Sequence, residues 1–375
     1  MIDRDALARL ARTALPILAL LSFAGGVAAT LAVAGDTLGY DFRAYHEAIE
    51  RLTNGGPLYD MSFTETGGFG LFYYPPTFAP LLLPFALLAT QPAIWTWIAL
   101  SIAAFLVGVA VLPVSRSVRW WILQLAGLSF PFVYAVKLGQ VGPILFLAFA
   151  VGWRGIDDPI RLGVSGAVGA AIKLQPGLVL VWALLTVRFR AVAVGAVALL
   201  VFAAAATLLA GPSAWSDFFT LLRTVTDPIA TERNLTPGAV AYQLGAPAGF
   251  ATVLQFVNTV AVVVALLAAV RWAGDEASYL VAVIASQLIS PILWDHYAML
   301  LLLPVAYLLS AGRWWALAIP IVTAWPLVGV TPPVAYPVVF WITMLATLAV
   351  GRAARRSAKR WADNAPPIRE IPTGL

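Results

Sequence analysis

The sequence predicts an all-α, polytopic membrane helix bundle. Of its 375 residues, 61% are hydrophobic and only 11% are charged, whereas roughly a quarter of the residues of a soluble domain are charged. The mean hydropathy is +0.88, and apolar runs long enough to span a hydrocarbon core of about 30 Å recur along the chain. Because lipid offers no partner for a free backbone N–H or C=O, these runs must be helical.

The first predicted helix, at residues 13–34, follows Arg4, Arg9 and Arg12. Its length of about 22 residues exceeds the usual core of a secretion signal, and no clear small-residue cleavage site precedes the next polar loop. We therefore expect a retained helix whose N-terminus is cytoplasmic. The polar loop 35–75 then lies on the extracytoplasmic face.

Further apolar segments bring the expected total to about twelve transmembrane helices, with both chain ends in the cytoplasm. They are 76–90, 92–113, 119–136, 141–153, 161–187, 190–210, 249–272, 276–294, 297–311, 314–330 and 335–351. We expect one membrane domain over 1–361, a second extracytoplasmic loop at 211–248 and a cytoplasmic tail at 362–375. Since Lys173 interrupts the segment 161–187, the central helices are not all expected to cross fully.

Composition excludes several other classes of protein and site. The net charge of +5 comes largely from basic residues at segment ends, such as RAARRSAKR at 352–360, which the positive-inside rule explains without a nucleic-acid partner. The chain contains no cysteine, which excludes disulfides, thiolate nucleophiles and cysteine-bound metals.

The residues 40–76 form a polar island between two apolar segments: YDFRAYHEAIERLTNGGPLYDMSFTETGGFGLFYYPP. Within it, residues 41–52 read as an amphipathic helix with Asp41 as N-cap and an apolar stripe of Phe42, Tyr45, Ile49 and Leu52 at spacings of three and four. This pattern turns Arg43, His46, Glu47 and Glu50 towards water or a cavity. A solvated helix lying along the membrane without chemistry is the alternative.

Ionisable residues within or beside apolar segments are candidates for function, because burying them in lipid is costly. Lys173 in AIKLQP would be costly at depth unless it meets an anion such as a lipid phosphate; snorkelling to the headgroups is the alternative. Lys137 lies between two segments, where snorkelling is easier. His296 in WDHY could be an interfacial aromatic-belt residue, and Asn234 in NLTPG lies in the second large loop.

Five motifs occur in order over residues 41–304: DFRAYHEAIERLTNGGPLYD, FYYPPTFAPLLLPFALL, KLGQVGPILFLAFAVGW, AIKLQP and SPILWDHYAMLLLLP. This series resembles glycosyltransferase family 87, membrane mannosyltransferases of the GT-C type that use a polyprenyl-phosphate-mannose donor. The resemblance implies a GT-C bundle whose first extracytoplasmic loop is catalytic and carries a helix parallel to the membrane.

The resemblance also implies roles for single residues. The family's catalytic carboxylate matches Asp41, which would take a proton from an acceptor hydroxyl as that hydroxyl attacks the sugar. The leaving lipid phosphate needs cations or donors already in place, for which Lys173, His296 and Lys137 are the candidates. Asp36 is the rival base. The predicted catalytic residues are Asp41 and His296, and the predicted substrate-binding residues are Tyr45, His46, Tyr73, Tyr74, Lys137, Gln140, Lys173, Gln175, Asn234 and Trp294.

The same resemblance implies the partners. They are a polyprenyl-phosphate-linked hexose, mannose in the family, then a lipid-linked or glycan acceptor, and membrane lipids of a bacterial inner membrane. No metal or other cofactor is expected, since the loop carries no DxD carboxylate pair and the lipid carrier bears one phosphate. A transporter or a lipid or sugar flippase without glycosyl transfer is the alternative function, although the inverted repeats typical of transporters are not evident.

Overall fold

α-Helices and short 3-10 helices build the fold, and no strand occurs among residues 4–62, 71–225, 227–324, 329 and 332–363, which the computed structural model describes. The α-helices are α1 Arg4–Ala34, α2 Tyr40–Thr53, α3 Ala79–Leu82, α4 Thr90–Val111, α5 Arg116–Leu128, α6 Phe130–Leu138, α7 Gly142–Arg154, α8 Pro159–Ile172, α9 Leu178–Leu185, α10 Phe189–Ala210, α11 Ser213–Val225, α12 Pro237–Gln243, α13 Ala248–Trp272, α14 Asp275–Leu288, α15 Leu302–Ser310, α16 Ile319–Val322 and α17 Ala335–Asp363. The 3-10 helices are Gly35–Thr37, Pro76–Phe78, Leu83–Leu87, Gln175–Gly177, Asp295–Leu301 and Trp314–Ala318.

Five helices in the described part of the chain are long and apolar enough to cross a membrane. They are Thr13–Thr37, Thr90–Val111, Phe189–Ala210, Ala248–Trp272 and Ala335–Arg360, and the pair α5 and α6, bent by 65°, would make a sixth. Each of the five coincides with a segment predicted from the sequence. The protein is therefore an all-helical integral membrane protein, as the composition indicates.

The predicted total of about twelve crossings is not confirmed. Several of the remaining apolar segments fold into helices of 10–17 residues, among them Pro159–Ile172 and Gln175–Leu185, which were predicted as one segment, 161–187. Lys173 adopts an extended conformation between them, and Pro176 cannot continue the preceding helix because it lacks an N–H. Helices shorter than about 17 residues do not span a hydrocarbon core unaided.

The helix α14 is the centre of the core. Its residues from Ala277 to Leu288 are all buried, and a helix that is apolar on every side belongs in an interior. Two side-chain hydrogen bonds tie its first turns to neighbours, from Trp182 Nε1 to Ser278 Oγ at 3.0 Å and from Tyr279 Oη to the carbonyl of Phe149 at 2.9 Å. Its C-terminus delivers the chain to the segment 289–301, which carries the predicted His296.

The amphipathic helix predicted at 41–52 is present as α2, Tyr40–Thr53. Its N-cap is Gly39, in the left-handed region at φ 70°, and not Asp41 as predicted. The Gly39 N–H donates to the carbonyl of Lys137 at 2.8 Å, so the turn before α2 is bound to the end of α6. Asp41 consequently lies in the first helical turn, where the helix dipole favours a carboxylate.

The predicted first loop and the predicted C-terminal tail are described by the structure only in part. The predicted loop 35–75 includes residues 63–70, and the predicted tail 362–375 includes residues from 364 onwards; both stretches lie outside the described residues. Residues 362–363 end the helix α17.

The helices α1 and α5 approach closely at a pair of glycines. A Cβ at Gly26 would collide with the Gly127 carbonyl, and a Cβ at Gly127 would collide with the backbone of Ser22 and Phe23. Small residues allow such close approach, which is the usual basis of helix association in membranes.

We predict that Gly26→Ala lowers the free energy of unfolding by about 1–3 kcal/mol. The added methyl group would meet the backbone of Gly127, which cannot move aside as a flexible side chain could. Gly25 is the matched control, since a Cβ there meets nothing within 4 Å and alanine favours helix by about 1 kcal/mol. Thermal unfolding in detergent should give a lower midpoint for Gly26→Ala and an equal or higher midpoint for Gly25→Ala. Equal midpoints for the two variants would contradict the close helix contact.

Candidate active site

A narrow cleft lies beside the C-terminal end of α14. Polar side chains from four separate stretches of sequence line it: Gln140, Lys173, Gln175, Ser286, Gln287, His296 and Tyr297. The space inside that a water-sized molecule could occupy is about 10 Å³, so the cleft is closed around its own side chains. The predicted motifs KLGQ, AIKLQP and WDHY thus meet at one place.

Asp41 joins this cleft through Gln140, whose Nε2 donates to Asp41 Oδ2. The residue is half-buried. Burial raises the pKa of the Asp41 carboxyl above its usual value of 3.8, and attraction to His296, the Gln140 hydrogen bond and Lys173 partly oppose the rise. A carboxylate with a raised pKa is a better proton acceptor than an exposed one.

Two tyrosines hold Gln140 in place. The hydroxyls of Tyr45 and Tyr74 lie 2.5 Å apart, and Gln140 Oε1 accepts from them at 3.4 Å and 3.2 Å. Since a tyrosine hydroxyl has a proton to donate, the amide oxygen faces the tyrosines and the NH₂ group faces Asp41. The packing of Tyr45 and Tyr74 against each other, with ring centroids 4.8 Å apart, adds rigidity.

Lys173 turns inwards and does not snorkel. Its Nζ donates to Tyr297 Oη at 2.9 Å and lies 4.4 Å from the ring centroid of Tyr297 and 5.2 Å from that of Tyr74. Aromatic faces attract a cation without neutralising it. The ammonium group therefore keeps its charge for an anion that enters the cleft.

His296 is buried, with 4% of its surface exposed, so it is not an exposed belt residue. Its Nδ1 lies 3.3 Å from Asp295 Oδ1, and neither ring nitrogen makes a hydrogen bond to the described part of the protein. An imidazole in a polar cleft with unused nitrogens can offer a proton or a hydrogen bond to a ligand. Its ring packs edge-on against Tyr297, at a centroid distance of 5.0 Å.

Two predicted binding residues have structural partners instead. His46 is fully buried and does not face water or the cleft as predicted; its Nε2 lies 3.1 Å from the carbonyl of Phe85 and 3.0 Å from that of Leu88. The helix α2 is buried on this second side because Leu83–Leu87 packs against it, which a single apolar stripe does not reveal.

Asn234 is likewise fully buried. Its Nδ2 donates to the carbonyls of Pro228 at 2.6 Å and Pro291 at 3.0 Å, and its Oδ1 accepts from the N–H groups of Thr236 at 3.0 Å and Leu293 at 2.9 Å. All four hydrogen-bonding positions of the amide are occupied. Asn234 thus fastens the second loop to the segment before His296.

The other predicted residues are less central. Gln175 lines the cleft and donates to Ser290 Oγ at 3.3 Å, whereas Lys137 lies 5.9 Å from the ring of Tyr134 and is absent from the cleft lining as far as the described residues go. Tyr73 and Trp294 are half-buried and are likewise absent from that lining.

Two residues of the cleft, Ser286 and Gln287, were not predicted from the sequence. Two adjacent polar residues in an otherwise apolar helix are a signal that could have revealed them.

The sequence model of glycosyltransferase family 87 matches residues 72–294, which is more than half of the chain and includes Tyr74, Gln140 and Lys173. The chain belongs to glycosyltransferase family 87. Asp41 and His296 lie outside the matched range and rest on the geometry of the cleft.

A curated relative from Mycolicibacterium smegmatis (strain ATCC 700084 / mc(2)155) is 30% identical to this family 87 enzyme over 308 residues, which covers 77% of this chain and 74% of the relative. The relative is a polyprenol-phosphate-mannose-dependent alpha-(1-2)-phosphatidylinositol pentamannoside mannosyltransferase. No solved structure matches the chain. Family and fold together establish a membrane glycosyltransferase.

We predict that Asn234→Ala lowers the free energy of unfolding by at least about 2 kcal/mol, because it leaves buried N–H and C=O groups without partners. The matched control is Gln243→Ala, which removes one hydrogen bond, to the Asn234 carbonyl at 2.9 Å, from an exposed side chain. Thermal unfolding in detergent measures both. If Asn234→Ala unfolds at the wild-type temperature but has a raised KM for the sugar donor, the structural role is wrong and Asn234 binds substrate.

Proposed function

We propose that this enzyme transfers mannose from a polyprenyl-phosphate-mannose donor to a hydroxyl of a lipid-linked or glycan acceptor, on the extracytoplasmic face of a bacterial inner membrane. The observation that carries the proposal is that the Asp41 carboxylate, hydrogen-bonded to Gln140, lies within reach of the charges of Lys173 and His296, which line the cleft together with Gln140. The donor class follows the name of the mycobacterial relative, and the GT-C fold follows the family resemblance.

Each group has a role in the proposed displacement. Asp41 takes the proton of the acceptor hydroxyl while the hydroxyl oxygen bonds to the anomeric carbon of the sugar. The bond from that carbon to the phosphate oxygen breaks, and its electron pair leaves with the lipid phosphate. The ammonium of Lys173 and a nitrogen of His296 stabilise the phosphate, as preorganised charges and donors do in a water-poor site.

The aromatic and amide groups around Asp41 orient the reactants. Gln140 holds the carboxylate, Tyr45 and Tyr74 hold Gln140, and Gln175 lines the cleft beside Lys173. Asp36 was the rival base, but it is exposed in Gly35–Thr37.

The assignment of the cleft to the extracytoplasmic side is supported by the arrangement of charge along α14. At its N-terminal end Arg188 Nη2 bonds to Asp275 Oδ2 at 2.7 Å, and Arg355 Nη1 donates to the carbonyl of Arg271 at 3.1 Å. The cleft lies at the other end, beyond the 14 residues of α14, or about 21 Å away. Basic residues favour the cytoplasmic side, so the cleft faces away from it.

The catalytic role of Asp41 is tested with labelled polyprenyl-phosphate-mannose. We expect Asp41→Asn to lower the rate of transfer by at least about a hundredfold, the range that a lost general base produces, with unchanged protein yield and thermal unfolding. Asp36→Asn is the matched control and should keep its activity. Activity in Asp41→Asn with loss in Asp36→Asn would reverse the assignment, and labelled polyprenyl-phosphate-glucose as the better donor would overturn the choice of mannose.

The Gln140 hydrogen bond favours the ionised form of Asp41 and so lowers the pKa of Asp41. Its loss in Gln140→Leu should therefore raise that pKa further. Because a general base must be ionised, the acidic limb of kcat/KM in Gln140→Leu should lie at a higher pH than in the wild-type enzyme. Gln91→Leu, at an exposed position outside the cleft, should leave the profile unchanged, and an acidic limb at the same or lower pH in Gln140→Leu would refute the coupling.

A further inference from the structure

We propose that Tyr336 is a positioning residue for glycosyl transfer, whose hydroxyl holds the segment 294–298 so that His296 and Tyr297 face Asp41 across the cleft. This inference rests on the proposed role of His296 in stabilising the donor phosphate. Tyr336 lies near the start of α17, and no predicted motif includes it.

The hydroxyl of Tyr336 is the meeting point of three hydrogen bonds to one turn of backbone. It accepts from the N–H of Ala298 at 3.0 Å and lies 2.9 Å from the carbonyl of Trp294 and 2.7 Å from that of Asp295. A phenol has one proton, which the two carbonyls share, and lone pairs that serve the N–H. The side chain is fully buried, so water does not compete for these bonds.

The segment needs such support because of its backbone. After α14 the chain is extended at Trp294, with ψ 154°, and then forms the 3-10 helix Asp295–Leu301, a weaker helix than the α-form. The first N–H groups of a helix have no partner within it. Here Asp295 Oδ1 accepts from the N–H of His296 at 2.8 Å, and Tyr336 accepts from that of Ala298.

A second set of contacts holds the residues that immediately precede this segment. Asn234 holds Pro291 and Leu293, as described above, and the N–H of Leu235 donates to the carbonyl of Leu293 at 2.9 Å. Residues 291–293 are therefore tied to the second loop, whereas Tyr336 ties residues 294, 295 and 298 to α17. Because Tyr336 binds the two residues before His296, α17 helps to set the position of His296.

Loss of the Tyr336 hydroxyl would act on catalysis through His296 and Tyr297. The hydroxyl of Tyr297 accepts a hydrogen bond from the Lys173 ammonium at 2.9 Å, and His296 lines the cleft. A shift of this turn therefore moves His296, and the tyrosine that holds Lys173, relative to Asp41 on α2. Misplacement by about 1 Å can cost a hundredfold in rate.

Tyr279 is a matched control for a purely structural role. It is also fully buried and its hydroxyl donates to a backbone carbonyl, that of Phe149, at 2.9 Å. It lies on the first turns of α14 and is absent from the lining of the cleft within the described residues. Tyr279→Phe and Tyr336→Phe therefore remove the same chemical group from equally buried positions.

The experiment measures thermal unfolding and the kcat and KM for polyprenyl-phosphate-mannose in Tyr336→Phe, Tyr279→Phe, His296→Ala and the double variant of Tyr336→Phe with His296→Ala. We expect both phenylalanine variants to lose some stability. Tyr336→Phe should lower kcat by about ten- to a hundredfold, whereas Tyr279→Phe should stay within about twofold. In the His296→Ala background the Tyr336 substitution should cost several-fold less than in the wild-type background, because residues that act through one another are not additive.

Two results would overturn the inference: equal kcat for the two phenylalanine variants, or an undiminished loss in the His296→Ala background. Full activity in His296→Ala would instead refute the proposed role of His296, which separates the two failures. Should Tyr336→Phe fail to fold, p-aminophenylalanine at position 336 keeps a donor for the two carbonyls and weakens only the acceptor for Ala298. It should fold with a kcat below that of the wild-type enzyme, and this loss should shrink in the His296→Ala background; an undiminished loss there would overturn the inference.

Discussion

The hydrogen bond between Gln140 and Asp41 is the contact on which the site depends. A carboxylate surrounded by protein must be paired or hydrogen-bonded, or it is costly to ionise. Residues 137–140 supply the partner and also bind two neighbouring elements. The Lys137 carbonyl accepts from the backbone N–H of Gly39 at 2.8 Å, and the Gly139 carbonyl accepts from the side-chain Nε1 of Trp97 at 2.7 Å. The position of Asp41 is thereby fixed relative to α4 and α6, not only within its own helix.

The core and the site meet at α14. Its N-terminal end is fastened by charged and aromatic side chains, and its buried length carries the polar pair Ser286 and Gln287 to the cleft. The chain then leaves the helix at Leu288 and is held by side chains from the second loop and from α17. The buried elements that flank the cleft limit the motion of His296, which lies in the segment after α14.

Long apolar helices and the local pattern of α2 could be predicted from the sequence, because hydropathy and a spacing of three to four residues report burial directly. Asp41, Lys173 and Gln140 were found through ordered motifs, and the structure brings them together. The sequence could not show that His46 and Asn234 are buried against backbone carbonyls, since a polar side chain in a motif looks the same whether it faces a ligand or the backbone. Tyr336 gave no signal, because a tyrosine at the start of an apolar helix is typical of any membrane interface.

The small free volume of the cleft affects how well water competes with the acceptor hydroxyl for the activated sugar, as it does in any glycosyltransferase. Water is present at about 55 M outside the membrane and is itself a hydroxyl compound, so an open site would hydrolyse the activated sugar. The free space of about 10 Å³ is close to the minimum that one water molecule needs. A site that opens only as far as its acceptor pushes the side chains apart would select the acceptor by size, and such a glycosyltransferase would lose little of its activated sugar to water.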